Sequence, residues 1–380
     1  MARKILILLT IFLLLGCITP HHLAKRIVST PTPNQTHPHY GSVYMPEFGA
    51  SKFVNTTYLN AGIVEKSDVV IVRDDFGFKV AVKKYPKRIV SLAPSNTEIL
   101  FALGVGSRVV GVTDYCDYPP EVVKLKEKGK IVSIGGFSTI NVEKVIALKP
   151  DLVVGAYGNG LGNIEAIKKF GIPVICFNPK NLSQVMRDIW ILGVVTGAKR
   201  SATKLIGWME DKIANIEKIV KRARDRPKVI HILWNDPIWV SGRETFVDEL
   251  IRLAGGTNAV NKRGWTVISK EELLRLNPDV IIVNSGNGMS PKGRDILYEW
   301  LTHDPVLSNL SAVKNGRVYV VDADIVSRPS YRLVYALEDF ARFIHPELFE
   351  DNSTALDLSS NNALNLSNAG FSSNTAETYS

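Results

Sequence analysis

The sequence predicts an α/β protein of two similar lobes, each with a mainly parallel sheet, joined by one long rigid helix. Three observations carry this. Short apolar runs alternate with helix-like segments through both halves of the chain. A proline-free stretch at 198–224 keeps apolar residues at spacings of three and four. One helix-to-strand corner is written twice, as INVEKVIALKPDLVVG from Ile140 and ISKEELLRLNPDVIIVN from Ile268. Glu271, Pro278 and Asp279 each follow Glu143, Pro150 and Asp151 by 128 residues.

The totals agree with two lobes. The chain has 380 residues, long for one ordinary core, and 45% of them are hydrophobic, enough to fill two. The net charge of +9 is scattered along the chain rather than blocked, so no nucleic-acid interface is expected. The densest basic run, KRARDR at 221–226, reads as a helix C-terminus, where the macrodipole favours cations.

At the N-terminus, Arg3 and Lys4 precede an uncharged run at 5–15. That is too short for a membrane span, which needs about 20 residues, and matches the apolar region of a signal peptide. Residues 1–16 are therefore expected to be cleaved. Leu14-Leu15-Gly16-Cys17 resembles a lipobox, which makes Cys17 the lipidated first residue and places the protein on the outer face of the cytoplasmic membrane. Residues 17–49, rich in Pro, Thr and His, read as a flexible tether. Cys116 and Cys176 then form either one bridge or two buried thiols.

The first lobe is expected over 50–180. Strands at 69–72 and 79–82 flank Asp74-Asp75-Phe76-Gly77, a hairpin turn. Strands follow at 88–92, 109–112, 152–154 and 174–177. Helices are read at 96–103, with Asn96 or Thr97 as N-cap, at 141–148, with Asn141 as N-cap, and at 164–170, ended by Gly171. Residues 181–226 are the inter-lobe helical segment, whose rod at 198–224 would span about 40 Å. A rod of this kind fixes a permanent cleft between the lobes. The second lobe, 227–347, has strands at 229–233, 280–283 and 318–321 and helices at 246–253, 270–276 and 332–343. Residues 348–380, rich in Ser, Asn, Thr and Ala, are expected to be a disordered tail.

Ligands of open α/β sheets bind beyond the carboxyl ends of the strands. The segments there are aromatic: Tyr115, Tyr118, Phe137, Tyr157, Trp234, Trp239 and Trp265. Rings offer large apolar area at low entropic cost, and facing rows of them suit a large, flat, partly apolar ligand. Catalytic motifs are missing: there is no Gly-x-Ser-x-Gly elbow, no Walker A loop and no HExxH. His231, inside an apolar strand, reads as a satisfied core histidine. Asp114 and Asp117 flank Cys116 without further partners at metal-ligand spacing, so neither an enzyme nor a metal site is expected.

PKRIVSLAPSNTEILFALGVGSRVVGVTDYCDYPP, NVEKVIALKPDLVV, WVSGRETFVDELIRLAGGTNAV and VKNGRVYVVD together resemble the class III solute-binding proteins of ABC importers, the group that captures cobalamin, ferric siderophores and haem. The resemblance implies two α/β lobes bridged by one helix, the class III periplasmic-binding-protein fold, and a monomer that works with a permease and its ATPase subunits. It implies that Glu143 and Glu271 dock with arginines of the permease. Within the group the likeness runs towards the cobalamin-binding members. That implies a transported corrinoid, with Tyr115, Trp239 and Trp265 at matching pocket positions and Phe137 in place of a tryptophan. Tyr157 and Trp234 complete the expected aromatic set. A ferric siderophore or haem is the alternative, and it would call for cleft cations, with Arg328 first among Arg243, Arg263, Arg328 and Arg332. No cofactor is implied beyond the transported ligand.

Overall fold

The computed structural model describes residues 62–285 and 295–349. The expected signal peptide, Cys17, the tether and, from residue 350, the expected tail lie outside the described residues. Among the described residues no helix is long and apolar enough to cross a membrane.

Three strands, β1 (Ile63–Glu65), β2 (Val69–Arg73) and β3 (Lys79–Lys83), form a small antiparallel sheet. The expected Asp74–Gly77 turn is fixed by Asp74, whose carboxylate accepts from the Phe76 and Phe78 amides at 3.1 and 2.8 Å. The first large sheet contains β4 (Ile89–Ser91), β5 (Val109–Val112), β6 (Val132–Ser133), β7 (Leu152–Ala156) and β8 (Val174–Phe177). It is wholly parallel in the order β6-β5-β4-β7-β8. Strands β4 and β8 are buried along their whole length, which is why they read as unbroken apolar runs. The chain moves outward from β4 on one side and then returns to β4's other edge as β7, so the strand order reverses between them.

Helices cover this sheet: α1 (Pro94–Ala102), α2 (Pro120–Glu127), α3 (Val142–Ala147) and α4 (Leu161–Lys168). Helix α1 starts earlier than its sequence suggests. Proline occupies its first turn, and neither Asn96 nor Thr97 caps it. Asn96 instead donates to the Val154 and Gly155 carbonyls, tying α1 to β7, and the Thr97 hydroxyl donates back to Ala93.

The linking segment is two helices, not one. Helix α5 (Leu182–Thr196) ends at Gly197, in the left-handed region at φ 80°, and α6 (Lys199–Val220) follows. The sequence hid α5 because it is buried on nearly every side and has no polar face to mark its period. The two helices cross closely at Gly193, where a Cβ would lie 2.5 Å from that of Ala202. Helix α6 is the expected rod, with 22 residues and a length of about 33 Å. It is shorter than expected because the helix stops at Val220, before the basic run.

The second large sheet holds β9 (Lys228–Asn235), β10 (Ile238–Ser241), β11 (Thr257–Asn258), β12 (Trp265–Ile268), β13 (Val280–Ser285) and β14 (Val318–Asp322). Strands β9, β13 and β14 are parallel, but β10 runs antiparallel beside β9, and β12 pairs antiparallel with β10 at the sheet edge. Helices α7 (Phe246–Leu253), α8 (Lys270–Leu276), α9 (Ile296–His303), α10 (Ser311–Lys314), α11 (Ala323–Val326) and α12 (Leu333–Ile344) complete the architecture. The two large sheets stay separate. One hydrophobic cluster nevertheless runs from Ile89 and Leu100 through Leu205, Ile206 and Met209 of α6 to Leu250 and Phe340. A shared core at the rod resists wide opening of the lobes.

The duplicated corner is the same device twice. Asn141 and Ser269 cap α3 and α8 by accepting from Lys144 and Glu272 amides. Lys149 and Asn277, at matching positions, turn the chain at φ 47° and 38°. Asp151 then accepts from the Lys87 and Arg88 amides at 2.8 and 2.9 Å, and Asp279 from the Lys228 amide at 2.7 Å. Arg88 and Lys228 in turn donate to the last helical carbonyls, Leu148 and Leu276. Each corner therefore bolts a helix to the start of the central strand of its own sheet, and presents the glutamate of its first turn outward.

Candidate functional site

Tyr115, in the loop after β5, is 37% exposed. Its ring lies over Gly136, where a Cβ would come 3.6 Å from Cε2. Phe137, in the loop after β6, rests on Gly158; a Cβ there would sit 2.3 Å from the ring, so any side chain at 158 would displace it. Asn159 locks these loops together. It donates to the Phe137 and Leu92 carbonyls, both at 2.8 Å, and accepts from the Ala156 amide. Tyr157, 59% exposed, stacks on Phe76 of the hairpin turn with centroids 5.4 Å apart. Tyr115, Phe137 and Tyr157 thus all stand in segments beyond the carboxyl ends of the first lobe's strands. Asn159 and Phe76, both missed in the sequence, hold these segments in place.

The tryptophans of the second lobe lie on strands rather than in loops. Trp234 and Trp239 face each other across β9 and β10, and Trp265 lies on β12, opposite Ser241. Trp265 packs edge-on against Phe246 at 5.3 Å and stays 38% exposed. Trp234 extends β9 past its buried run, β10 is only four residues long, and β12 is mostly exposed, so none of the three carries a strand signal of its own.

Arg328 is deeply engaged. Its side chain is only 11% exposed and pairs with Glu98 at 3.3 Å, Asp117 at 2.6 Å and Asp324 at 2.7 Å. It also donates to the Tyr115 carbonyl at 3.4 Å. Glu98, from α1 of the first lobe, is fully buried and also receives Arg332 at 3.1 Å and the Ser330 hydroxyl. Arg332 stacks over the Tyr118 ring at 4.0 Å. Burial pushes the Glu98 carboxyl up, and the two guanidiniums pull it back. The cluster joins the carboxyl-end loops of the two lobes. Glu98 escaped the sequence reading because a lone glutamate in a helix looks like a solvated one.

The other expected cations are also occupied in part: Arg263 pairs with Glu244 at 3.0 Å. His231 is fully buried between Ser241 and Asn284, each at 2.7 Å, and burial lowers its pKa to about 4, so it is neutral. Cys116 and Cys176 are separate buried thiols, and burial pushes Cys176 up to about 12. Among the described residues no three His, Cys, Asp or Glu side chains gather to hold a metal.

Glu143 and Glu271 are exposed in the first turns of α3 and α8. Neighbouring Glu272 is bound to Lys262 at 2.7 Å. The Glu271 carboxyl is held below its usual range by its own backbone amide and the Ser269 hydroxyl.

Two α/β lobes joined by a bridging helix are the architecture of a solute-binding transport protein. The chain belongs to the periplasmic binding protein family, whose pattern it matches over residues 89–325. It is 34% identical over 297 residues to the uncharacterized ABC transporter substrate-binding lipoprotein YvrC of Bacillus subtilis, covering 76% of this chain and 90% of that one. It is 27% identical over 270 residues to the vitamin B12-binding protein of Vibrio cholerae, covering 69% and 91%. Among solved structures, the apo periplasmic heme-binding protein RhuT from Roseiflexus sp. RS-1 superposes with a TM-score of 0.61 at 29% identity, over 69% of this chain and 99% of that one.

Proposed function

We propose that this protein is the extracytoplasmic solute-binding component of an ABC importer and that its cargo is a corrinoid. In this reading Cys17 carries the lipid anchor, residues 17–49 tether a monomeric two-lobed body, and the body spans 50–347 with 181–226 as its bridge. The cargo lies between Tyr115, Phe137 and Tyr157 on one lobe and Trp234, Trp239 and Trp265 on the other. Arg328 supports the floor beneath it. Glu143 and Glu271, fixed on separate lobes by the duplicated corner, dock the loaded protein on the permease. Two carboxylates at a set separation select register and speed encounter more than they add affinity.

The observation that carries the corrinoid is the state of the arginines. Of the four expected cations, Arg263, Arg328 and Arg332 are already paired with carboxylates, which favours a site of rings and backbone polar groups over one built on free cations. Such a site suits a large, nearly neutral macrocycle rimmed with amides. The similarity to vitamin B12-binding proteins agrees. Haem is the second reading, favoured by the likeness to a heme-binding protein and by the exposed phenol of Tyr115, a candidate iron ligand.

The test is the visible spectrum of purified protein after incubation with cobalamin, haem or ferric chelates and removal of free ligand. Retained cobalamin colour in equimolar amount is expected. Retention of haem or ferric chelate alone would replace this reading.

A further inference from the structure

We infer that the Arg328 cluster is a specificity filter: its acids neutralise the cleft floor and turn away anionic ligands. This rests on the cleft reading above but not on the identity of the cargo. The cluster stands where the carboxyl ends of the two sheets meet. Glu98 lies on α1, just beyond β4, and Asp117 lies in the Tyr115 loop beyond β5. Arg328, Ser330 and Arg332 lie beyond β14 and α11. Arg328 reaches the Tyr115 carbonyl, so the cluster touches the loop that carries this ring.

Its charges do not balance. Glu98, Asp117 and Asp324 are in direct contact with Arg328, and Arg332 supplies the only second guanidinium in the ion pairs of this cluster. Asp322, which caps α11 through the Asp324 amide, adds a further carboxylate two residues away from Asp324. The buried pair of Glu98 and Arg332 is structural, because Glu98 is fully enclosed. Asp117 and Asp324 are different: they close over Arg328 from opposite lobes while keeping 49% and 40% of their side chains exposed. They mask a cation that would otherwise face the cleft, and they leave the local field negative. A ligand carrying several negative charges meets repulsion there, while a neutral one does not.

The filter can be lifted without touching the buried pair. Asp117→Asn with Asp324→Asn keeps shape and removes two charges from the lip of Arg328. The probes are two ferric complexes of similar size, a neutral tris-hydroxamate and a trianionic tris-catecholate, titrated against tryptophan fluorescence in the full soluble body. At separations near 8 Å, each charge removed should favour the trianion by about tenfold relative to the neutral complex, and added salt should shrink the gain. Thermal unfolding of the double variant checks that it is folded. A ratio of affinities that does not move, or a trianion that still fails to bind the variant, overturns the inference. So does a parent protein that binds the trianion as tightly as the neutral complex. If the ratio shifts as expected while cobalamin is not retained, the filter stands and the corrinoid reading falls. If cobalamin is retained and the ratio does not shift, the reverse holds.

Discussion

Replacing Glu98 by glutamine should destabilise the whole protein, not only the cleft. The carboxylate is fully buried and is held by Arg328, Arg332 and Ser330. Arg328 keeps Asp117 and Asp324 after the change, so little of the loss comes from that side. Among the described residues Arg332 pairs directly with Glu98, and beyond that it has the Tyr118 ring and the more distant Asp322 carboxylate, so much of its charge is left uncompensated in a buried place. Removing one partner of a buried pair costs about 3–5 kcal/mol; since glutamine still offers an acceptor, the lower end, about 3 kcal/mol, applies. At roughly 2–4 °C per kcal/mol for a chain approaching this size, the midpoint should fall by about 6–12 °C. Differential scanning calorimetry of the parent, Glu98→Gln, Arg332→Met and the double variant would measure this. The double variant should be less damaged than the two singles together, with a coupling of about 2 kcal/mol. A midpoint shift under about 2 °C, or additive singles, would refute the idea that this ion pair fastens the lobes.

Three further outcomes follow from the geometry. His231 has a pKa of about 4 when folded against about 6.5 when unfolded, so the unfolded chain binds the extra proton between those values. Stability from this group is present above pH 6.5 and is lost as pH falls towards 4, by about 3 kcal/mol in all. Denaturant titrations of the parent and His231→Gln across that range should differ in slope, and parallel curves would contradict the assignment. Trp265→Ala should weaken cobalamin binding by about 2 kcal/mol, roughly thirtyfold, read by calorimetric titration; an unchanged affinity would remove Trp265 from the site. Changing Glu143 and Glu271 together to lysine should abolish uptake into vesicles carrying the permease while leaving ligand affinity intact. If affinity collapsed instead, the two glutamates would be structural.

Much of the fold was legible in the sequence where burial left a local signature. Helix α7 falls on its expected residues because its apolar stripe, the Thr245 cap and the glycines after it all agree. The duplicated corner was readable because Pro and Asp are each required there: the aspartates anchor backbone amides of a strand far away in sequence. What stayed hidden was mostly tertiary. Helix α5 lacks a polar face, β10 is only four residues long, β12 is mostly exposed, and Asn96 looks like a cap until β7 is beside it. At the site, the aromatic residue types were visible, but not what holds them. Gly158, Asn159 and Phe76 acquire meaning only once three loops meet, and Arg328 reads as a free cation until acids from both lobes close on it.

The central claim is that two lobes, fastened at their base, grip one flat ligand between facing rings. A crystal structure of the body with cobalamin tests this most directly. The account predicts the corrin between the Tyr115–Phe137 wall and the Trp239–Trp265 wall, with the Glu98 ion pairs intact. A corrin bound elsewhere, or one that enters only after those ion pairs break, would contradict it.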